Sequence, residues 1–140
     1  MSVTLTSREG RDPLRFDDPN VIFVEGSDDR AVIAALIEHE GLDGFHVHNM
    51  VGKDKWGTYL RASVLDPDFQ ANVKSVGLVR DADLDPRATW DSCRNALRSA
   101  GLSIPASPMD VASGNPAVSV TILPSEDMLG PFSAFVPVMV

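Results

Sequence analysis

A chain of 140 residues with 44% hydrophobic and 23% charged residues is one ordinary globular domain, which excludes a disordered or fibrous polymer. The formal net charge of −8 excludes a broad basic footprint for nucleic acid, although a bound metal ion can supply positive charge locally. The lone Cys93 excludes an intramolecular disulfide, and no Cys/His cluster has zinc spacing.

Residues 1–19 are polar, broken at Asp12-Pro13 and Asp18-Pro19, and read as a leader or short edge element. Met1 to Glu9 has no apolar core of the secretory kind. No stretch reaches the ~20 apolar residues of a membrane span, so a cytoplasmic address without a membrane partner is expected. Val21-Ile22-Phe23-Val24 is a continuous apolar run, the signature of a strand covered on both faces, and Glu25-Gly26 breaks it. Ser27 suits a helix N-cap, and Asp28 and Asp29 suit the positive end of the helix dipole. The helix continues through Ala31 to Ile37 and is expected to end near Gly41.

Residues 45–50, Phe-His-Val-His-Asn-Met, alternate with period two and predict a second strand. His46 and His48 flank Val47 and share one face. That face reads as an exposed one, or, with two acids, as a metal site. Gly52 precedes a second helix, where Trp56, Leu60 and Val64 recur every four residues, Tyr59 widens the stripe and Asp66-Pro67 stops it. Residues 73–79 predict a third strand, broken by Arg80-Asp81-Ala82-Asp83. Asp85 caps the next helix and Pro86 takes its favoured first position. Trp90, Cys93, Leu97 and Ala100 line one helical face, Gly101 supplies the stop, and Trp56 and Trp90 are both expected in the core.

Residues 102–116 form a long Pro/Ser/Gly-rich loop, and residues 118–123 alternate as a fourth strand. The order βαβαβα-loop-β implies an α/β domain over residues 20–128. It has a mostly parallel sheet of about four strands, helices on both faces and right-handed crossovers. Residues 129–140 are an apolar tail, a last strand or a truncated continuation, that favours self-association as a homo-oligomer.

In a parallel sheet the carboxyl ends of the strands share one edge, so Glu25, Asp81 and Asp83 are expected to converge there. Converging carboxylates need a cation, and hard oxygen donors suit Mg²⁺, with Mn²⁺ as a substitute. Asp85 is a further candidate metal ligand, although helix capping explains it better. Gly26, which lets a backbone approach closely, Asp29 and Lys53 are candidate substrate contacts on the same edge. Glu126 and Asp127 follow the fourth strand and can add carboxylates.

Glu25-Gly26-Ser27-Asp28-Asp29 after one apolar strand, Val51-Gly52-Lys53 after the next, Asp81-Ala82-Asp83 after the third and Leu123-Pro124 after the fourth resemble the toprim domain. That domain is shared by topoisomerases, bacterial primases, small nucleases and the overcoming-lysogenization-defect nucleases. The resemblance is nearest to a group of uncharacterised prokaryotic toprim-like proteins, some linked to phage defence, and covers about residues 21–127. It implies a three-layer Rossmann-like fold, Glu25 as general acid or base, Asp81 and Asp83 as Mg²⁺ ligands, and Asp29 at the family's second acidic position. Two departures stand out. Arg80 lies where the family has an apolar residue, and either pairs with a site acid in competition with the metal or points outward. The chain also stops soon after the fourth strand.

The leading expectation is therefore metal-dependent phosphodiester hydrolysis on nucleic acid. A topoisomerase is not expected, because Tyr59 lies on a packed stripe; nor is a primase, which brings a zinc module and further domains. The alternative is a catalytically weak toprim-like module that binds a protein partner or nucleotide, favoured by the apolar tail and the lack of a basic patch. A Rossmann-like phosphate cradle at Gly26-Ser27 ranks last, because an acid opens that loop.

Overall fold

The apolar runs become the inner strands of a single six-stranded sheet in the computed structural model, which describes residues 4–7, 16–25, 27–50, 55–82, 85–108 and 110–123. In chain order the elements are β1 (Thr4–Ser7), β2 (Asn20–Val24), α1 (Ser27–His39), β3 (Phe45–Asn49), α2 (Trp56–Leu65), α3 (Pro67–Asn72), β4 (Ser75–Asp81), α4 (Pro86–Ala100), β5 (Val111–Ala112) and β6 (Ala117–Leu123). The strand order is β1-β3-β2-β4-β6-β5. Every pairing is parallel except that of β5 with β6. The expected α/β class and mostly parallel sheet are thus observed.

Two strands exceed the four expected from sequence. β1 falls in the polar leader and pairs with β3, and β5 is a two-residue strand inside the Pro/Ser/Gly-rich loop. Both are short edge strands with no apolar run to announce them. β4 also runs two residues further than its apolar stretch, because its ladder with β6 continues through Arg80↔Ile122 and Asp81↔Leu123. Arg80 and Asp81 therefore belong to the strand and not to the turn after it.

Alternation along the inner strands divides the core between the two faces. Val21, Phe23, Val76, Leu78, Val118 and Val120 join Trp56 and Leu60 of α2, Phe69 of α3 and Cys93 and Leu97 of α4 in the larger cluster. Val24, Val47, Val79 and Leu123 join Ile33 and Ile37 of α1 in the smaller one. Trp56 is buried as expected; Trp90 is only partly buried, packed against the larger cluster with the Arg94 guanidinium 6.0 Å above its ring.

The helix ends follow their sequence signals. Asp66 and Asp85 cap α3 and α4, each with Pro at the first turn. Asp66-Pro67 stops α2 and starts α3 in one step. After α1, Gly41 (φ 72°) donates to Glu38 O and Leu42 N donates to Ile37 O; after α4, Gly101 (φ 74°) and Leu102 repeat the pattern on Arg98 and Leu97. Such pairs close a helix through one left-handed residue, a conformation glycine adopts without steric cost.

The two strand histidines correct the sequence reading. His46 and His48 do not form an exposed face: they are 1% and 0% accessible. β1 on one side and β2 on the other make β3 an inner strand, and Phe16 closes over both rings, with centroids 6.4 Å away in each case. Asn72 holds this cover by donating to Phe16 O at 2.9 Å. Phe16 was hidden because the segment around it is polar.

Candidate active site

The chain leaves β2 through α1 to reach β3 on one side, and leaves β4 through α4 to reach β6 on the other, although β2 and β4 are neighbours. Connections that diverge from adjacent strands open a crevice at the strand carboxyl ends, where open α/β sheets bind their ligands. Val24 and Val79 are in register, so Glu25 and Asp81 follow at nearly the same level of this edge.

Arg80 dominates what lies between them. Its side chain is 5% exposed and its Nε stands 3.6 Å from Glu25 Oε2, with the Glu25 side chain 18% exposed. At that separation the contact is an ion pair and not a hydrogen bond. Nη1 donates to Ser92 Oγ of α4 at 2.9 Å, and the guanidinium carbon lies 5.1 Å from the Trp56 ring centroid. Thus α2, α4 and the end of β2 each hold one side of the guanidinium. Of the two sequence alternatives for Arg80, pairing with a site acid is the one observed.

Alternation along β4 sends Arg80 toward α2 and α4 and Asp81 toward the opposite face, where Asp81 is exposed. Glu25 turns to the Arg80 face, so Glu25 and Asp81 share the edge of adjacent strands but not the single pocket in which the sequence leads one to expect them to converge. Asp85 sits beyond, and its Oδ1 accepts from Arg87 N and Ala88 N, both at 3.1 Å, as the cap of α4. Thr89 Oγ1 donates toward Ala82 O and Asp85 O at 3.1 and 3.2 Å, which ties the β4–α4 turn down. Asp83, Gly26, Lys53, Glu126 and Asp127 lie outside the described residues, and Asp29 falls in the first turn of α1 with its side chain outside them.

Among the described residues, no group of three or more His, Cys, Asp or Glu is arranged to hold a metal ion. In kind, however, the donors divide clearly. Asp81 is an exposed residue at a strand end, and its carboxylate is the hard oxygen type of donor that Mg²⁺ takes. Glu25 already has a buried guanidinium as its counter-charge, which makes it a poorer ligand for a further cation. The sheet face over β4 and β6 carries a separate groove of about 290 Å³, bordered by Ile22, Phe45, Gly77, Val79, Ser119 and Thr121. None of its lining residues is ionisable, so the groove offers no acid–base group.

Cys93 lies under Arg80 with no accessible surface. Burial pushes its thiol up to about 11, against a smaller opposing pull from Arg80. It is therefore a neutral core side chain at pH 7 and no nucleophile. The unfolded thiol ionises near 9 and the folded one near 11, so the folded state binds the extra proton between them. Stability from this group is complete below pH 9 and lost as pH rises through about 11. Cys93→Ala is expected to flatten the alkaline loss of urea stability by roughly 2–3 kcal/mol relative to wild type, measured from pH 8 to 11.

The fold and edge define an α/β domain with acids at the switch point of a mostly parallel sheet. Residues 19–140 match the family described as "Protein of unknown function (DUF3226)", and the chain belongs to that family. The match includes the apolar residues 129–140, which lie outside the described part of the structure. No curated protein and no solved structure matches the chain.

Proposed function

We propose that this chain is a three-layer toprim-like domain that hydrolyses phosphodiester bonds in nucleic acid with the help of Mg²⁺ or Mn²⁺. The observation that supports it best is the placement of Glu25 and Asp81 at the carboxyl ends of adjacent, in-register strands at the switch point. Asp81, together with Asp83, would hold the metal, which when bound polarises a phosphoryl oxygen and screens developing charge. Glu25 is the proton-handling group, fixed by Arg80 at the mouth of the crevice. Asp85 caps α4 through Oδ1, so it is proposed only as a lesser ligand beside Asp81 and Asp83. Gly26, Asp29 and Lys53 remain the proposed substrate contacts.

The acidic chain, with net charge −8, implies limited contact with the nucleic acid or a protein partner that supplies affinity for it. One feature favours the second reading, a catalytically weak module that binds a protein or nucleotide: the Arg80–Glu25 pair occupies the charge of the expected catalytic acid.

Metal titration followed by thermal unfolding separates the two readings, because a ligand that binds only the folded state raises apparent stability. Millimolar Mg²⁺ or Mn²⁺ is expected to stabilise the wild type, and Asp81→Ala with Asp83→Ala to abolish the response. Plasmid nicking is expected to need the same aspartates and Glu25. Metal binding without any cleavage would leave the module reading in place, and the absence of any metal response would remove the hydrolase reading.

A further inference from the structure

The outward face of α4 is basic, in a chain whose net charge is −8. At about 100° per residue, Arg87, Arg94 and Arg98 fall within an arc of about 40°, with axial steps of about 10 and 6 Å between them. The buried residues of the helix, Thr89, Cys93, Ala96 and Leu97, lie away from this arc. Arg87 and Arg98 are exposed, and the Arg94 side chain is 41% exposed. Two of the guanidiniums are steadied: Arg94 lies 6.0 Å from the centroid of the half-buried Trp90 ring, and Arg98 donates to Asn95 Oδ1 at 2.9 Å. Asp91 is the single acid between Pro86 and Ala100, and it meets Arg94 at 3.5 Å in an exposed pair that another anion can displace. Helix stability does not account for the row. The helix dipole favours Arg98 in the last turn but opposes Arg87 in the first.

We propose that the Arg87–Arg94–Arg98 row, with Trp90 beside it, is a docking surface for single-stranded nucleic acid. The inference deepens the nucleic-acid reading above and rests on it for the choice of polymer, but it needs no metal. A row of guanidiniums along one helix follows a phosphate backbone, and a guanidinium held over an aromatic ring gives a flat surface against which a base can stack. A lipid surface fits less well, because none of the exposed large apolar side chains among the described residues belongs to α4. The row is short, which agrees with the limited contact that an acidic chain allows. It is also placed for use: Arg87 lies in the first turn of α4, just past the carboxyl end of β4, so a strand lying on the row runs up to the edge that carries Asp81 and Glu25.

Fluorescence anisotropy of a labelled oligodeoxythymidylate, titrated with the full chain in EDTA at low salt, reads docking apart from cleavage. The wild type is expected to bind with a Kd of roughly 1–100 µM, and log affinity to fall with log salt at a slope of about −2, as three phosphate contacts on a single strand give. Arg87→Gln with Arg98→Gln is expected to weaken binding at least about tenfold and to reduce the slope to about −0.7. Lys74→Gln, which removes a charge beside the opposite end of β4, is expected to change affinity by less than about twofold. Asp91→Asn is expected to bind about two- to threefold more tightly, because it removes a repelling charge and releases Arg94. A loss of structure cannot produce that gain, so this variant decides if the double variant does not fold. No binding by the wild type overturns the inference, as does binding whose strength and salt slope survive the loss of Arg87 and Arg98. Asp91→Asn no tighter than wild type also overturns it, and polyglutamate bound as tightly as the oligonucleotide would reassign the surface to an acidic protein. The hydrolase reading stands or falls separately, on the metal response and on nicking.

Discussion

Glu25→Leu is expected to destabilise the fold by about 3–5 kcal/mol, and Arg80→Met added to it to restore most of that loss. The asymmetry of the pair sets the order of effects. Arg80 has 5% of its side chain exposed and cannot reach water when its anion is removed, whereas Glu25 keeps 18% and recovers part of its hydration. Arg80→Met alone should therefore cost less than Glu25→Leu alone. The double variant replaces an ion pair by two apolar side chains next to Trp56, Cys93 and the larger cluster, a change that is often close to neutral. Urea unfolding of the four proteins gives the coupling directly. If the double variant is as unstable as the two single losses added together, the 3.6 Å contact contributes nothing and Arg80 is held by Ser92 and Trp56 alone.

The framework of this edge was legible in the sequence because apolar runs and caps are local signals. Val21-Ile22-Phe23-Val24 marked β2, Asp85-Pro86 and Gly101 bounded α4, and Glu25 and Asp81 fell where strand ends meet. What escaped was decided by partners distant in the chain. The burial of His46 and His48 depends on β1 and on Phe16, both inside a segment whose polarity disguises it. The direction of the Arg80 side chain depends on one residue of strand register. Had β4 ended at Val79, as its apolar pattern suggests, Arg80 would have been free to point outward; the ladder with β6 carries it inward to Glu25. A signal for this existed: Trp56 at the head of α2 and Ser92 on the stripe side of α4 provide an aromatic face and a hydroxyl, which are what a buried guanidinium needs.

Trp56 is where fold and site share one side chain, and its replacements should separate the two roles. Trp56→Ala is expected to cost about 3–5 kcal/mol, because the ring is 1% exposed among the large side chains of the principal core. Trp56→Phe is expected to cost far less, roughly 1 kcal/mol or under. The indole Nε1 is buried without a hydrogen-bond partner among the described residues, so phenylalanine gives up volume while removing an unsatisfied donor. It also leaves an aromatic face for Arg80, at some loss of cation–π strength. In the Trp56→Ala background the guanidinium loses its cover and gains water. The coupling between Glu25 and Arg80 should then shrink toward the roughly 0–1 kcal/mol of an exposed pair. The same double-mutant cycle, repeated in that background by urea unfolding, measures the change. An undiminished coupling would mean that the Trp56 ring is a core side chain only, and that the pair owes its burial to α4.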